Sequence, residues 1–149
     1  MKFSAREDID ASIDGVFQAV TDFDAFERRM LRRGVDIMRD EDVPIDRVGA
    51  RWKANVGWRG RKYDIDAELI SLTPGEGFAI ESKANGVDSL AVVDLVALSK
   101  SRTRMFVSVD LKPTTLSSRL LVQSLRLAKG TLNKRFKARV SEFAAGLSG

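Results

Sequence analysis

For chemistry the chain offers carboxylates, arginines and one tyrosine, with neither histidine nor cysteine anywhere in it. The side chain best suited to proton transfer near neutral pH is therefore missing. So are thiol nucleophiles, disulfides and thiolate metal sites. Any metal would have to be held by oxygen ligands alone. The densest acidic run is DIDAE, with Asp64, Asp66 and Glu68 at alternate positions. Alternate residues of a strand share one face, so these three could hold a hard cation or act as paired acids. The same spacing sets them opposite Asn55, Lys53 and Arg51 if the segments either side of Arg59-Gly60 form a hairpin. That arrangement makes them an outward charge ladder rather than a site. Asp94 and Asp110 are better acid candidates, because a carboxylate forced inside would have a raised pKa and could serve as a general acid. There is no glycine-rich phosphate loop; the glycines are scattered as turn punctuation.

Few elements are needed to position these groups. At 149 residues, 44% hydrophobic and 31% charged, the composition fits one globular domain, 1–149. No apolar run approaches the ~20 residues of a membrane span. The opening MKFSAREDID lacks the apolar core of a signal peptide, and a cytoplasmic, bacterial protein is expected. The net charge of +4 is unevenly spread. From Lys112 to the end there are eight basic side chains and a single acid, Glu142. That bias is either a solvated helix face or an attraction to an anionic surface.

The order of elements is strand, two short helices, about six strands and one long helix. Lys2 to Asp10 reads as the first strand. Ser12 caps a helix carrying Val16, Phe17 and Val20, with Asp14 favourable to its dipole. Asp24 and Glu27 have capping-box spacing for a second helix, and Gly34 suits its end. Val35 to Met38 reads as a strand and Asp40 to Val48 as a polar loop. In the hairpin, Trp58 meets Arg61, Val56 meets Tyr63, Ala54 meets Ile65 and Trp52 meets Ala67. One register thus yields an apolar face and an opposite-charge face, and a one-residue slip would set every Trp against a charge. The Thr73-Pro74-Gly75-Glu76 turn places Phe78, Ile80 and Ser82 beside Ser71, Leu69 and Ala67. Asn85-Gly86 then turns the chain, with Ser89, Ala91, Val93 and Leu95 inward. For the last strand the set Thr103, Met105, Val107 and Val109 is favoured inward. That leaves Leu90, Val92 and Val96 on an unusually apolar outer face. After Pro113, Thr114 or Thr115 caps a helix running to about Gly146. Its apolar stripe is Leu121, Leu125, Ala128, Leu132, Phe136, Val140 and Phe143, with Gly130 in mid-course. Arg139 falls near the stripe, its stem packing and its head in water.

This order resembles the helix-grip fold. The opening IDASIDGVFQAVTDFDAFE is similar to the start of the START-like (SRPBCC) superfamily, the polyketide cyclase/dehydrase and lipid-transport group. The matching positions are Ala11, Val16, Phe17, Val20, Asp22 and Phe26. The segment SRTRMFVSVDLKP resembles that group's last strand. The resemblance spans essentially the whole chain. It implies an α+β fold in which a curved antiparallel β-sheet with two short helices wraps one long C-terminal helix. It also implies a cavity between sheet and helix for a hydrophobic or amphipathic small molecule.

The apolar face of the meander either packs solidly on the helix or leaves room at one end. If there is room, the expected ligand-binding residues are Trp52, Val56, Tyr63, Ile65, Phe78, Ile80, Val93, Met105, Leu125 and Leu132. Tyr63, Ser71, Ser82, Ser89 and Thr103 would be the polar handles, each more readily satisfied by backbone or water. Trp58 and Arg61 suit a cation–π pair at the hairpin tip, either a surface clasp or a grip on a ligand at the mouth. The reading is a binder or carrier of a lipid-, quinone- or polyketide-like molecule, with no catalytic residue, metal or cofactor assigned. One alternative is a cyclase/dehydrase-type enzyme without a catalytic His or Cys. The other is a partner- or membrane-surface-binding module using the basic C-terminal helix. Nucleic acid is disfavoured, since that helix has no exposed aromatics for stacking. Weak association with an anionic membrane surface and a homodimer both remain open.

Overall fold

The computed structural model describes residues 1–58 and 60–148. In chain order the elements are β1 (Lys2–Ile9), α1 (Ile13–Val20), α2 (Phe23–Arg32), β2 (Asp36–Arg39), β3 (Arg51–Trp58), β4 (Arg61–Thr73), β5 (Gly77–Ala84), β6 (Val87–Ser99), β7 (Arg102–Pro113), α3 (Leu116–Leu127) and α4 (Lys129–Leu147). The strands form one antiparallel sheet in the order β1-β7-β6-β5-β4-β3-β2. This is the curved α+β sheet with two short helices and a C-terminal helical segment that the element order predicts.

The β3–β4 register is the expected one throughout, from Arg51 opposite Glu68 to Trp58 opposite Arg61. Arg59, half of the expected two-residue loop, lies outside the described residues. On the outer face Arg51 pairs with Glu68 at 2.9 Å and Lys53 with Asp66 at 4.0 Å, while Asn55 donates to Asp64 at 2.7 Å. The next pairing departs from expectation. A bulge between Leu69 and Ser71 shifts the register, so Phe78 faces Leu72 and not Ser71. An extra residue bends its strand and increases local twist. A second bulge lies between Ala97 and Ser99. On β7, Thr103 and Met105 are buried while Phe106 is exposed, which confirms the favoured inward set.

Two helix boundaries also differ. The cap of α2 is Asp22, whose carboxylate accepts from the Ala25 backbone at 3.1 Å. Asp24 instead pairs with Arg39 at 3.3 Å. The long terminal helix is interrupted: Ala128 has φ −102° and ψ 11°, and its N–H donates to Leu125 O at 3.0 Å, a tighter turn than α-helical. Each half then faces its own strand. The start of α3 sits on the β5–β6 hairpin, where Thr114 donates to Gly86 O from both backbone and hydroxyl. α4 lies along β1, with Phe136 6.0 Å from Phe3 between ring centroids.

The core is in two clusters. One joins Ile9, Val16, Val20, Leu95 and Met105 to Val140 and Ala144 of α4. The other holds Phe23, Ala50, Trp52 and Leu69. Phe78 packs against both.

Gly77 adopts φ +151°, and a Cβ there would overlap the Val93 carbonyl oxygen of the neighbouring strand. Gly77→Ala should therefore lower stability by about 2–4 kcal/mol in urea unfolding. Gly75→Ala, at φ +73° with open space around it, should cost only about 1–2 kcal/mol. Equal effects at the two positions would contradict the close approach.

Candidate functional site

Between the two clusters the concave side of the sheet stays open. A cleft of about 720 Å³ lies between α2, α4 and the central strands. Its floor is Phe78 of β5, Val93 of β6, and Met105 and Val107 of β7. These residues come from three adjacent strands, and register sets them side by side, Phe78 against Val93 and Val93 against Val107. One wall is α4, which presents Phe136, Val140, Phe143 and Leu147 at helical spacing. The other wall is α2, whose Phe26, Arg29, Met30 and Arg33 share a face by the same rule. Arg139 and Glu142 complete the lining from α4. The two walls meet where the Phe26 and Phe143 rings lie 5.7 Å apart. The Arg29 guanidinium stands 5.4 Å from the first ring and 5.6 Å from the second, within cation–π range of both.

A smaller apolar cleft of about 360 Å³ opens nearer the β3–β4 hairpin. Met1, Phe3, Val109 and Leu111 line it from the sheet edge, Trp58 from β3, and Leu125, Leu132 and Phe136 from the terminal helices. Phe136 lines both clefts. A depression of about 800 Å³ at the β1 edge is instead mixed and polar, with Lys2, Arg6, Glu7, Asp94 and Lys137 on its walls. Charged side chains make up much of its lining, so it is the poorer host for an apolar molecule despite its size.

The ten ligand-binding positions expected from sequence divide three ways. Phe78, Val93 and Met105 line the larger cleft. Leu125 and Leu132 line the smaller one. Trp52, Val56, Tyr63, Ile65 and Ile80 line neither. Trp52 is filled core: it packs edge-on to Phe23 at 5.6 Å and donates from Nε1 to Glu27 at 2.7 Å. Ile80 packs against the same cluster. Trp58 lines the smaller cleft, its ring 6.4 Å from that of Tyr63. Of the polar handles, Thr103 is fully buried and donates to Ala11 O at 2.9 Å, so its hydroxyl is already engaged with backbone.

The acid candidates do not converge on either cleft. Asp94 is exposed on the outer face, opposite Phe106. Asp110 lies 3.8 Å from the N-terminal amine. The carboxyl of Asp8 is held below the ordinary carboxylate range, first by its hydrogen bond with Arg104 and then by the charges of Arg104, Arg102 and Arg6. Its distances to Arg104, 2.8 and 3.1 Å, describe a two-pronged surface pair on the outer face. What the sequence reading missed is the contribution of α2. Phe26, Arg29, Met30 and Arg33 follow helical spacing and could have been recognised as one face. Arginines in a last turn read more simply as partners of the helix dipole.

No protein-family model matches this chain, and no curated protein matches it. Solved structures do. A Thermus thermophilus protein shares 11% identity over 99% of this chain and 97% of its own, with a TM-score of 0.69. A START superfamily protein from Mycobacterium smegmatis shares 14% over 90% and 95%, with a TM-score of 0.54. An aromatase/cyclase from a Streptomyces species shares 14% over 77% and 69%, with a TM-score of 0.58. At such identities the likeness concerns fold alone. Sheet order, helix placement and these neighbours agree: the chain has the START-like, helix-grip fold.

Proposed function

We propose that the chain binds a hydrophobic or amphipathic small molecule, lipid-, quinone- or polyketide-like, in the larger cleft. The observation that carries this reading is the unfilled space of about 720 Å³ walled by Phe26, Phe78, Met105, Phe136 and Phe143. That volume is ordinary for a small-molecule site. Each 100 Å² of apolar ligand surface removed from water would contribute about 2.5 kcal/mol before ordering costs. A cyclase or dehydrase would need a group able to exchange protons beside the ligand. Asp94 and Asp110 face away, Tyr63 lines neither cleft, and arginine does not deprotonate in proteins. Glu142 is the single carboxylate on the lining, and it is exposed, with no second acid beside it. One solvated carboxylate favours binding over chemistry.

Nile red, an uncharged environment-sensitive dye, should bind saturably at one per chain. Val93→Trp, which places a larger side chain on the cleft floor, should weaken that binding about tenfold or more, a loss of about 1.4 kcal/mol or more. Unsaturable dye uptake, equal in both proteins, would overturn the reading.

A membrane-facing role for α3 is a second reading with its own support. Leu116, Leu120 and Leu127 are 76%, 59% and 93% exposed, and Arg119 and Arg126 stand among them. Exposed leucines interleaved with cations suit an anionic bilayer surface. No helix among the described residues is long and apolar enough to cross a membrane. The chain should co-sediment with phosphatidylserine-containing vesicles more than with phosphatidylcholine ones, and Leu120→Ser/Leu127→Ser should abolish the difference. Equal recovery with both vesicles would remove this reading.

A further inference from the structure

The larger cleft carries a charge pattern that apolar burial does not explain. Arg29 and Arg33 enter its lining from α2, one helical turn apart, and Arg139 enters from α4. Glu142 is the only carboxylate on that lining. Four arginines elsewhere pair with carboxylates: Arg39 with Asp24 and Glu27, Arg51 with Glu68, Arg102 and Arg104 with Asp8. Among the described residues, Arg29, Arg33 and Arg139 have no carboxylate within 4.0 Å. Three guanidinium groups and one carboxylate on the lining leave it with a net positive charge.

The dipole of α2 accounts for part of this. Arg29 lies in its last turn and Arg33 is its C-cap, where cations are favourable. Arg139 is in the middle of α4, away from either helix terminus. The posture of Arg29 is also specific. Its guanidinium is held against the Phe26 and Phe143 rings, at 5.4 and 5.6 Å, where the two helices touch. A guanidinium held beside rings spends none of its N–H donors on them, so these stay available to a further partner. The cleft thus has an apolar floor and a cationic mouth, which is complementary to a molecule with an apolar body and an anionic head.

We infer that the larger cleft selects amphiphiles with a carboxylate head group, the head held by Arg29 with Arg139 and Arg33 and the tail lying on Phe78, Val93 and Met105. Arginine is suited to this because its planar fork matches a carboxylate through two parallel hydrogen bonds. The inference rests on the binding reading above and narrows it to a ligand class.

Displacement of Nile red by dodecanoate and by dodecanol at neutral pH tests it. Dodecanoate should displace the dye at about tenfold lower concentration than dodecanol, and added salt should narrow the gap. Arg33→Gln/Arg139→Gln leaves the Arg29 stack intact and should reduce the preference several-fold while leaving dodecanol unchanged. Arg29→Gln/Arg139→Gln should abolish it. Equal displacement by the two compounds on the native chain, or a full preference surviving in both variants, would overturn the carboxylate class while the binding reading stood. Failure of Nile red itself to bind saturably would overturn both.

Discussion

The division of the core into two clusters is the constraint on which the rest of this structure depends. α4 is committed to β1, through Phe136 on Phe3 and through Val140 and Ala144 among Ile9, Val16 and Met105. It cannot at the same time cover the central strands. α2 and the buried Trp52 close the far side of the sheet around Phe23 and Leu69. Between them Phe78 packs against both clusters, and the space above it is left open. A protein interior normally fills to the density of an organic crystal, so a cleft of this size persists only when its walls are held apart. Here each wall has its own packing. The contacts that do bridge them, Phe26 to Phe143 with Arg29 over both, lie where the two helices meet.

The same division explains the interrupted terminal helix. The start of α3 is tied to the β5–β6 hairpin by Thr114 and by the Thr115–Ser118 capping box. Gly86 sits close beneath it, where a Cβ would lie 2.8 Å from the Thr115 hydroxyl. α4 is tied to the edge strand β1. A straight helix serves both attachments poorly, and the break at Ala128 lets each half present its own buried residues, Ser118 and Val122 on one side, Val140 and Ala144 on the other. Gly130 lowers helix propensity close to that point.

The strand pairings are largely legible in the sequence, because alternation and opposite charges specify register twice over. Lys53 against Asp66 and Trp52 against Ala67 could not both hold in a slipped sheet. The Ile70 bulge was less legible, since no glycine or proline marks it. Its only trace is the run Leu69-Ile70, two apolar neighbours where alternation should continue. The helix break escaped because an apolar stripe persists across it at the right spacing. The lining of the larger cleft was legible by half. Phe78, Val93 and Met105 follow from strand parity, whereas Phe26 and Arg29 become cleft residues only through the tertiary placement of α2 against α4. Trp52 shows the converse. Strand parity puts it on the inner face, but its bond to Glu27 and its contact with Phe23 turn it into core, and neither partner is near in sequence.

The space over Phe78 is proposed to take up an apolar molecule. A crystal structure of the chain grown with a long-chain alkyl compound measures this most directly. Continuous density is expected on Phe78, Val93 and Met105 beneath Phe143, with the α2–α4 spacing retained. Phe26 and Phe143 collapsed onto the sheet, leaving no volume beyond a few waters and no bound compound, would contradict it.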